Sequence, residues 1–443
     1  MRRVGSSGVA LLLVLAVLLP ANPAVAAPGP SAAPEWWFDR WGVPALWAQG
    51  ADGRGVTIAE IDSGVNTAVP ELAGKILAGT DYGPHGGDGG TDHELDPFGH
   101  GTAMASIMVA APGTAGIQGM APAARILPIA VPLEGTDDAT SNDHLSDAIR
   151  YAADHGAKII NMSLGASRDP ALDSAPCPPA EQSAVDYAAT RGDLVLAAAG
   201  NGGTSGSPVE EPAVCVGVIT VGAVDSSQVV PSFSSRHPYV TVVAPGVNIP
   251  SLGRLPGTAY QGDGTSQATA IASAALAMIW SRFPALTNSQ VLARLLATLD
   301  VPHPSRDPEY GYGVINPARA IQTEVPADTP EPILSALAPY LALDRAIAAA
   351  SSPAPPTARR SGTPPGAFVV GTPPSRFTAA VWTSGAVALV ALLALLALGV
   401  FGWRRARTAR ELRAVASAPS TPSPTAWLPE PDWPLRAAGP ADD

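Results

Sequence analysis

Four short segments carry side chains that could do chemistry together: Ile61-Asp62-Ser63-Gly64, Gly99-His100-Gly101-Thr102, Ala199-Gly200-Asn201 and Gly264-Thr265-Ser266-Gln267. A serine hydroxyl becomes a useful nucleophile when an imidazole takes its proton, and that imidazole needs a buried carboxylate to hold it in one tautomer. Asp62, His100 and Ser266 supply the three groups in the chain order Asp, His, Ser, each in a segment that contains glycine. Asn201 supplies a fourth need, an amide donor for the oxyanion that forms on an attacked carbonyl, a contact worth ~3–4 kcal/mol in the transition state. Together they imply acyl transfer. A lone Asp-Ser-Gly is a turn signal and a lone Gly-Thr-Ser a loop or cap signal, so the ordered set carries the reading rather than any one segment.

The neighbouring residues read as the elements such chemistry requires. Residues 56–61 read as a mostly apolar strand that would leave Asp62 at its carboxyl end, and 194–199 as an apolar one that runs into Gly200 and Asn201. Open α/β sheets place their sites at that end of their strands. His100 opens a helical stretch over 102–110, and Ser266 precedes an apolar helix over 267–281 whose N-terminal dipole would face the site. Further strands at 125–131, 157–162, 216–223 and 240–244 alternate with helices at 143–155, 181–190 and 288–298. That alternation predicts an α/β fold, a parallel doubly wound sheet flanked by helices, and the stretch from Tyr310 to Asn316 reads as its closing turn.

With these motifs the chain resembles the subtilisin-like (S8 family) serine peptidases, and among them the mycosins of type VII secretion, over about Trp41 to Ala320. The resemblance implies a three-layer subtilisin-like fold and serine endopeptidase activity on protein or peptide substrates, with no cofactor. It implies that Ser163-Leu164-Gly165 pairs with an extended substrate backbone. It also makes Ala198, Ala199 and Gly200 one wall of the pocket for the residue before the scissile bond. The chain departs from the family pattern at Ala270, where a proline usually follows the nucleophile by four residues, and at Ser63, where threonine is common. Only a few tens of residues separate the expected signal cleavage site from the first core strand, so the pro-domain of secreted subtilisins is not expected. The tryptophan-rich Glu35 to Trp41 instead resembles the mycosin extension that wraps the domain and leaves the cleft open.

The other histidines carry no predicted role. His85, Asp88, Asp92, His93, Glu94 and Asp96 have metal-ligand side chains, but the glycines among them give no rigid geometry, so a solvated surface loop and no metal are expected. His144, His155, His237 and His303 read as surface residues. The two cysteines, Cys177 and Cys215, are either free thiols or a bridge closing a ~40-residue loop around Asn201, worth about 4 kcal/mol. Export and the mycosin resemblance favour the bridge.

The chain ends predict topology. Arg2-Arg3, an apolar run from Val9 to Leu19, Pro20 and Ala24-Val25-Ala26 read as a signal peptide over 1–26, followed by an N-terminal extension over 27–50 and a peptidase domain over 51–323. A Pro/Ala-rich linker over 324–378, with a short helix possible within 333–350, leads to an uncharged stretch over 379–403 bracketed by Trp382 and Trp403. Arg404, Arg405, Arg407, Arg410 and Arg413 follow at once, which predicts a single transmembrane helix with a disordered cytoplasmic tail over 404–443. The expected location is therefore the cell membrane, with the N-terminal domain outside. Across 443 residues 38 acidic side chains face 26 basic ones for a net charge of −12, and no basic stripe interrupts the N-terminal part, which argues against nucleic acid as a partner.

Overall fold

The computed structural model describes residues 35–113, 115–133, 144–168 and 177–342. The expected signal peptide, transmembrane helix, cytoplasmic tail and most of the linker lie outside these residues, and no described helix is long and apolar enough to cross a membrane.

Seven strands form a parallel sheet: β1 (Thr57–Asp62), β2 (Thr80–Asp81), β3 (Arg125–Ala130), β4 (Ile159–Met162), β6 (Leu194–Ala198), β8 (Ile219–Val224) and β9 (Val240–Pro245), in the order β2-β3-β1-β4-β6-β8-β9. Two antiparallel pairs stand apart from it: β5 (Ala166–Arg168) with β7 (Val209–Glu211), and β10 (Ile249–Leu252) with β11 (Ala259–Gly262). From β1 the chain first fills one side of the sheet, with β2 at the edge and β3 between them, and then extends the other side in turn through β4, β6, β8 and β9. The crevice beside β1 and β4 is therefore the topological switch point where such sheets bind ligands.

The central strands are apolar because both faces are covered. On β1 the pleat sends Ile58 into one core and Ala59 and Ile61 into the other. The first core receives α3 (His100–Val109) and α6 (Thr265–Arg282), and α6 is buried almost all round from Gln267 to Trp280. The second receives α4 (Leu145–Asp154) and α5 (Pro179–Thr190). Leu145, Ala148, Ile149, Ala152 and Ala153 form the buried stripe of α4 at helical spacing. α7 (Asn288–Leu296) starts at a capping box in which Thr287 and Gln290 exchange side-chain and backbone hydrogen bonds.

The packed body reaches past 51–323 at both ends. In the lead-in, α1 (Trp36–Trp41) and α2 (Val43–Ala48) put Trp37, Trp41, Val43 and Leu46 into the first core. Trp47 donates its indole N–H to the carbonyl of Met120, and the nearby Gly53 N–H reaches Ser281 Oγ, near the C-terminal end of α6. This end of α6 is a full helix length from Ser266, so residues 35–50 pack away from the cleft. Tyr310 to Asn316 does not close the domain: Val314 bridges Val243, and α8 (Pro317–Gln322) and α9 (Pro332–Ser335) follow, with Ile333 and Leu337 buried.

Because Trp37 is 1 % exposed inside the main core, Trp37→Ala should lower the unfolding free energy by ~3–5 kcal/mol in chemical denaturation. A loss below ~1 kcal/mol would show that the lead-in is not part of the core.

Candidate active site

Asp62 ends β1 with no exposure to solvent, and both of its carboxylate oxygens lie 2.9 Å from His100 Nδ1. The Ser63 N–H is a second donor to this carboxylate, reaching Oδ1 at 2.8 Å. His100 must come this close while opening α3, and Gly101 allows it: a methyl group there would stand 2.2 Å from the Gly64 carbonyl oxygen and 3.2 Å from Asp62 Oδ1.

The first turn of α3 leaves orphan N–H groups that must find acceptors. Glu94 accepts from the His100 N–H, Ser63 Oγ from Gly101 at 3.0 Å, and Asp92 Oδ2 from Thr102 at 3.0 Å. Asp92 also takes the Thr102 hydroxyl at 2.6 Å and the Ser63 hydroxyl at 2.9 Å. The loop read as a solvated surface segment is thus in part the socket of α3: Asp92 is buried, whereas His85, Asp88 and Asp96 are exposed as expected. His93 pairs with Asp81 at 2.8 Å. Among the described residues the one convergent group of His, Cys and carboxylate donors is Cys177, Glu181 and Cys215, whose two sulfurs are joined in a disulfide across 38 residues.

Burial opposes the charged form of His100, but the Asp62 carboxylate, the hydrogen bond it makes, and Glu94 and Asp92 nearby together outweigh it and raise the ring to about 9.

Ser266 stands in the first turn of α6. Its hydroxyl donates to the carbonyl of Ser163 at 2.7 Å, and the Ser163 hydroxyl returns a bond to the Ser266 carbonyl at 3.0 Å. His100 is not its hydrogen-bond partner here. The two side chains instead line one cleft of about 330 Å³, with Ser163, Leu164, Gly165, Ala198, Gly200 and Asn201. Asn201 is exposed, and its Oδ1 accepts from the Thr265 N–H at 2.9 Å and from its hydroxyl at 3.0 Å. A backbone N–H can only donate, so this contact fixes the amide with Nδ2 as the group left to donate. The backbone N–H of Ser266, in the first turn of α6, has no acceptor within the helix. Of the residues expected to wall the pocket, Ala199 does not: the strand pleat turns its side chain into a small core with Val224 and Val243, while Ala198 and Gly200 face the cleft.

Beneath the cleft lies a polar chain that the apolar reading of β1 missed. Glu60, two residues before Asp62 and on the same strand face, has no exposure and accepts from Asn161 Nδ2 at 2.7 Å. The same nitrogen reaches Ser163 Oγ at 2.9 Å, and Asn161 Oδ1 accepts from Ser273 on α6 at 2.7 Å. Burial first, then the charges of Asp62 and Asp92, push the Glu60 carboxyl well above the usual carboxylate range, and the hydrogen bond from Asn161 only partly offsets them. A glutamate inside an otherwise apolar strand was the available sign.

A family model of the subtilases, peptidase family S8, matches residues 53–313. The chain belongs to the subtilase family. This subtilase is 36 % identical over 282 residues to subtilisin E of Bacillus subtilis (strain 168), spanning 63 % of this chain and 69 % of that one. It is 41 % identical over 209 residues to a thermophilic serine proteinase of Bacillus sp. (strain AK1), over 46 % of this chain and 47 % of the other. Among solved structures it is similar to MycP1 from Mycobacterium smegmatis, with a TM-score of 0.59 and 27 % identity over 68 % of this chain and 88 % of that one. The MycP3 protease from the type VII (ESX-3) secretion system gives a TM-score of 0.57 and 29 % identity, over 69 % and 91 %. The subtilase is thus a serine-type endopeptidase, similar in sequence to the subtilisins and in structure to the mycosins.

Two outcomes follow from the buried charges. A general base must be neutral, so kcat/KM for a peptide should climb as pH rises through about 9, and Asp62→Asn should move that limb down towards 6.5 and cut kcat by ~10⁴. A wild-type plateau already reached at pH 7 would refute the raised ring. Glu60 keeps its proton in the fold above the pH at which the unfolded chain loses it. Its contribution to stability is therefore full below the ordinary pKa of 4.5 and lost as pH rises towards the folded value. Glu60→Gln should raise Tm at pH 8 and leave it nearly unchanged at pH 4, and equal shifts at both would show that Glu60 is ionised in the fold.

Proposed function

We propose that Ser266 is the nucleophile, His100 its general base and then general acid, Asp62 the group that orients His100, and Asn201 with the Ser266 N–H the oxyanion donors. Ser266 Oγ attacks the carbonyl of the scissile bond and gives its proton to His100 Nε2. The oxyanion receives Asn201 Nδ2, the Ser266 N–H and the N-terminal dipole of the 18-residue α6. His100 then protonates the leaving amine, and water attacks the resulting ester by the same route in reverse. The observation that carries this reading is the two-oxygen grip of Asp62 on His100 Nδ1 at 2.9 Å, which leaves Nε2 as the nitrogen able to face the cleft shared with Ser266 and Asn201. Ser163-Leu164-Gly165 offers the edge for the substrate backbone.

The reading extends to location and setting. A signal peptide over 1–26 and a membrane helix over 379–403 followed by five arginines support a peptidase held on the outer side of the cell membrane, with residues 404–443 in the cytoplasm. The likeness to MycP1 and MycP3 supports work alongside a type VII secretion complex. The same likeness favours a second reading, in which the domain stabilises such a complex and its proteolysis is dispensable.

A fluorophosphonate should label the full-length protein at Ser266, and Ser266→Ala should abolish that labelling; labelling that survives the substitution sinks the nucleophile assignment. In cells lacking the protein, Ser266→Ala at normal abundance should fail to restore processing of exported proteins. Restored secretion by that variant would favour the stabilising role.

A further inference from the structure

The residue before a scissile bond is attached to the carbonyl that Ser266 attacks, so its side chain must enter the space between Ser163-Leu164-Gly165 and the Ala198 to Gly200 strand end. That space has an acidic floor. Glu210 on β7 lines the same cleft as Ser266, lies directly opposite Ser167 in the β5-β7 pair, and accepts the Ser167 hydroxyl at 2.9 Å. Its carboxyl sits between the two walls: a methyl group on Gly200 would stand 2.7 Å from Glu210 Cγ and 2.9 Å from Oε1, and one on Gly165 would stand 3.5 Å from Oε2. Gly200 adopts φ of +98°, so glycine there serves both the backbone and the glutamate.

Glu210 is 6 % exposed, and no cation pairs with it among the described residues. Burial, and secondarily the like charge of Glu211, raise its carboxyl, and the Ser167 hydroxyl only partly offsets this. A carboxylate so placed costs free energy unless a partner arrives. An apolar side chain entering the pocket would seal it from water unpaired, whereas an ammonium or guanidinium would bring both charge and donors.

We propose that Glu210 makes this peptidase select a basic side chain, lysine or arginine, immediately before the bond it cleaves. The proposal rests on the nucleophile reading above and deepens it. In serine peptidases of another fold, an aspartate in the corresponding pocket makes this selection.

The test uses the full-length protein and fluorogenic peptides identical except for arginine, lysine, leucine, phenylalanine or glutamate before the scissile bond. The expected kcat/KM for arginine exceeds that for leucine by ~30-fold or more, and Glu210→Gln brings the two within ~3-fold of each other. Because each ratio is read within one preparation, a smaller folded fraction of the variant cancels. A wild type that reacts with fluorophosphonate yet cleaves the leucine or phenylalanine peptide as well as the arginine one overturns the role of Glu210 alone, as does a variant that keeps the wild-type ratio. A wild type that neither reacts nor cleaves overturns the nucleophile reading, and this inference falls with it.

Discussion

The Asp62 carboxylate is sealed from solvent and must meet His100 Nδ1 with both oxygens at 2.9 Å, and this requirement dictates how the end of β1 and the start of α3 are built. A charge held that deep is tolerable only if donors surround it. The Ser63 N–H is one, the imidazole is another, and neither can be in place unless α3 begins against the strand end. Ser63, Asp92 and Glu94 therefore take up the first three N–H groups of α3, so the acceptors that cap the helix also hold the ring in reach of Asp62. Thr102 also donates its hydroxyl to Asp92.

The second half of the site is assembled from the other side of the switch point. β4 delivers Ser163, β6 delivers Asn201, and α6 delivers Ser266, so three elements distant in sequence have to agree in position. Their agreement is enforced by polar contacts in a setting where a missed partner is expensive. Asn161 ties Glu60 on β1 to Ser273 on α6 and to Ser163 Oγ, and Thr265 locks the Asn201 amide in one orientation. Burial and the Asp62 charge two residues away favour the neutral form of Glu60.

The parallel strands and the longer helices were legible because each is mostly apolar on its covered faces and bounded by turn residues. The four chemical side chains were legible because each sits where a strand ends or a helix starts. What escaped has a common cause, a partner far away in the chain. Asp92 reads as one more acid in a glycine-rich loop, and only Thr102 and Ser63 make it a buried anchor. Ala199 looks like its neighbours until the pleat turns it away from the cleft. The short β5 and β7 carry no hydrophobic period of their own and exist through their mutual pairing, so Glu210 had no visible address. The lead-in helices have no side-chain caps and are fixed by burial of Trp37, Trp41, Val43 and Leu46 and by the Trp47 contact to Met120.

The Ser266 hydroxyl rests on the Ser163 carbonyl, and a charged His100 is compatible with that choice of partner. With the ring raised to about 9, both of its nitrogens carry protons at neutral pH and neither can accept. The serine proton must then go to another acceptor, and the Ser163 carbonyl is there at 2.7 Å. Once His100 loses a proton, Nε2, the ring nitrogen not held by Asp62, becomes able to accept. The carbonyl that holds the resting hydroxyl belongs to the segment expected to pair with substrate backbone. A peptide that engages this edge competes for the surroundings of that hydroxyl as it brings its own carbonyl towards Asn201. On the proposed reading, substrate binding and release of the Ser266 hydroxyl are coupled through Ser163.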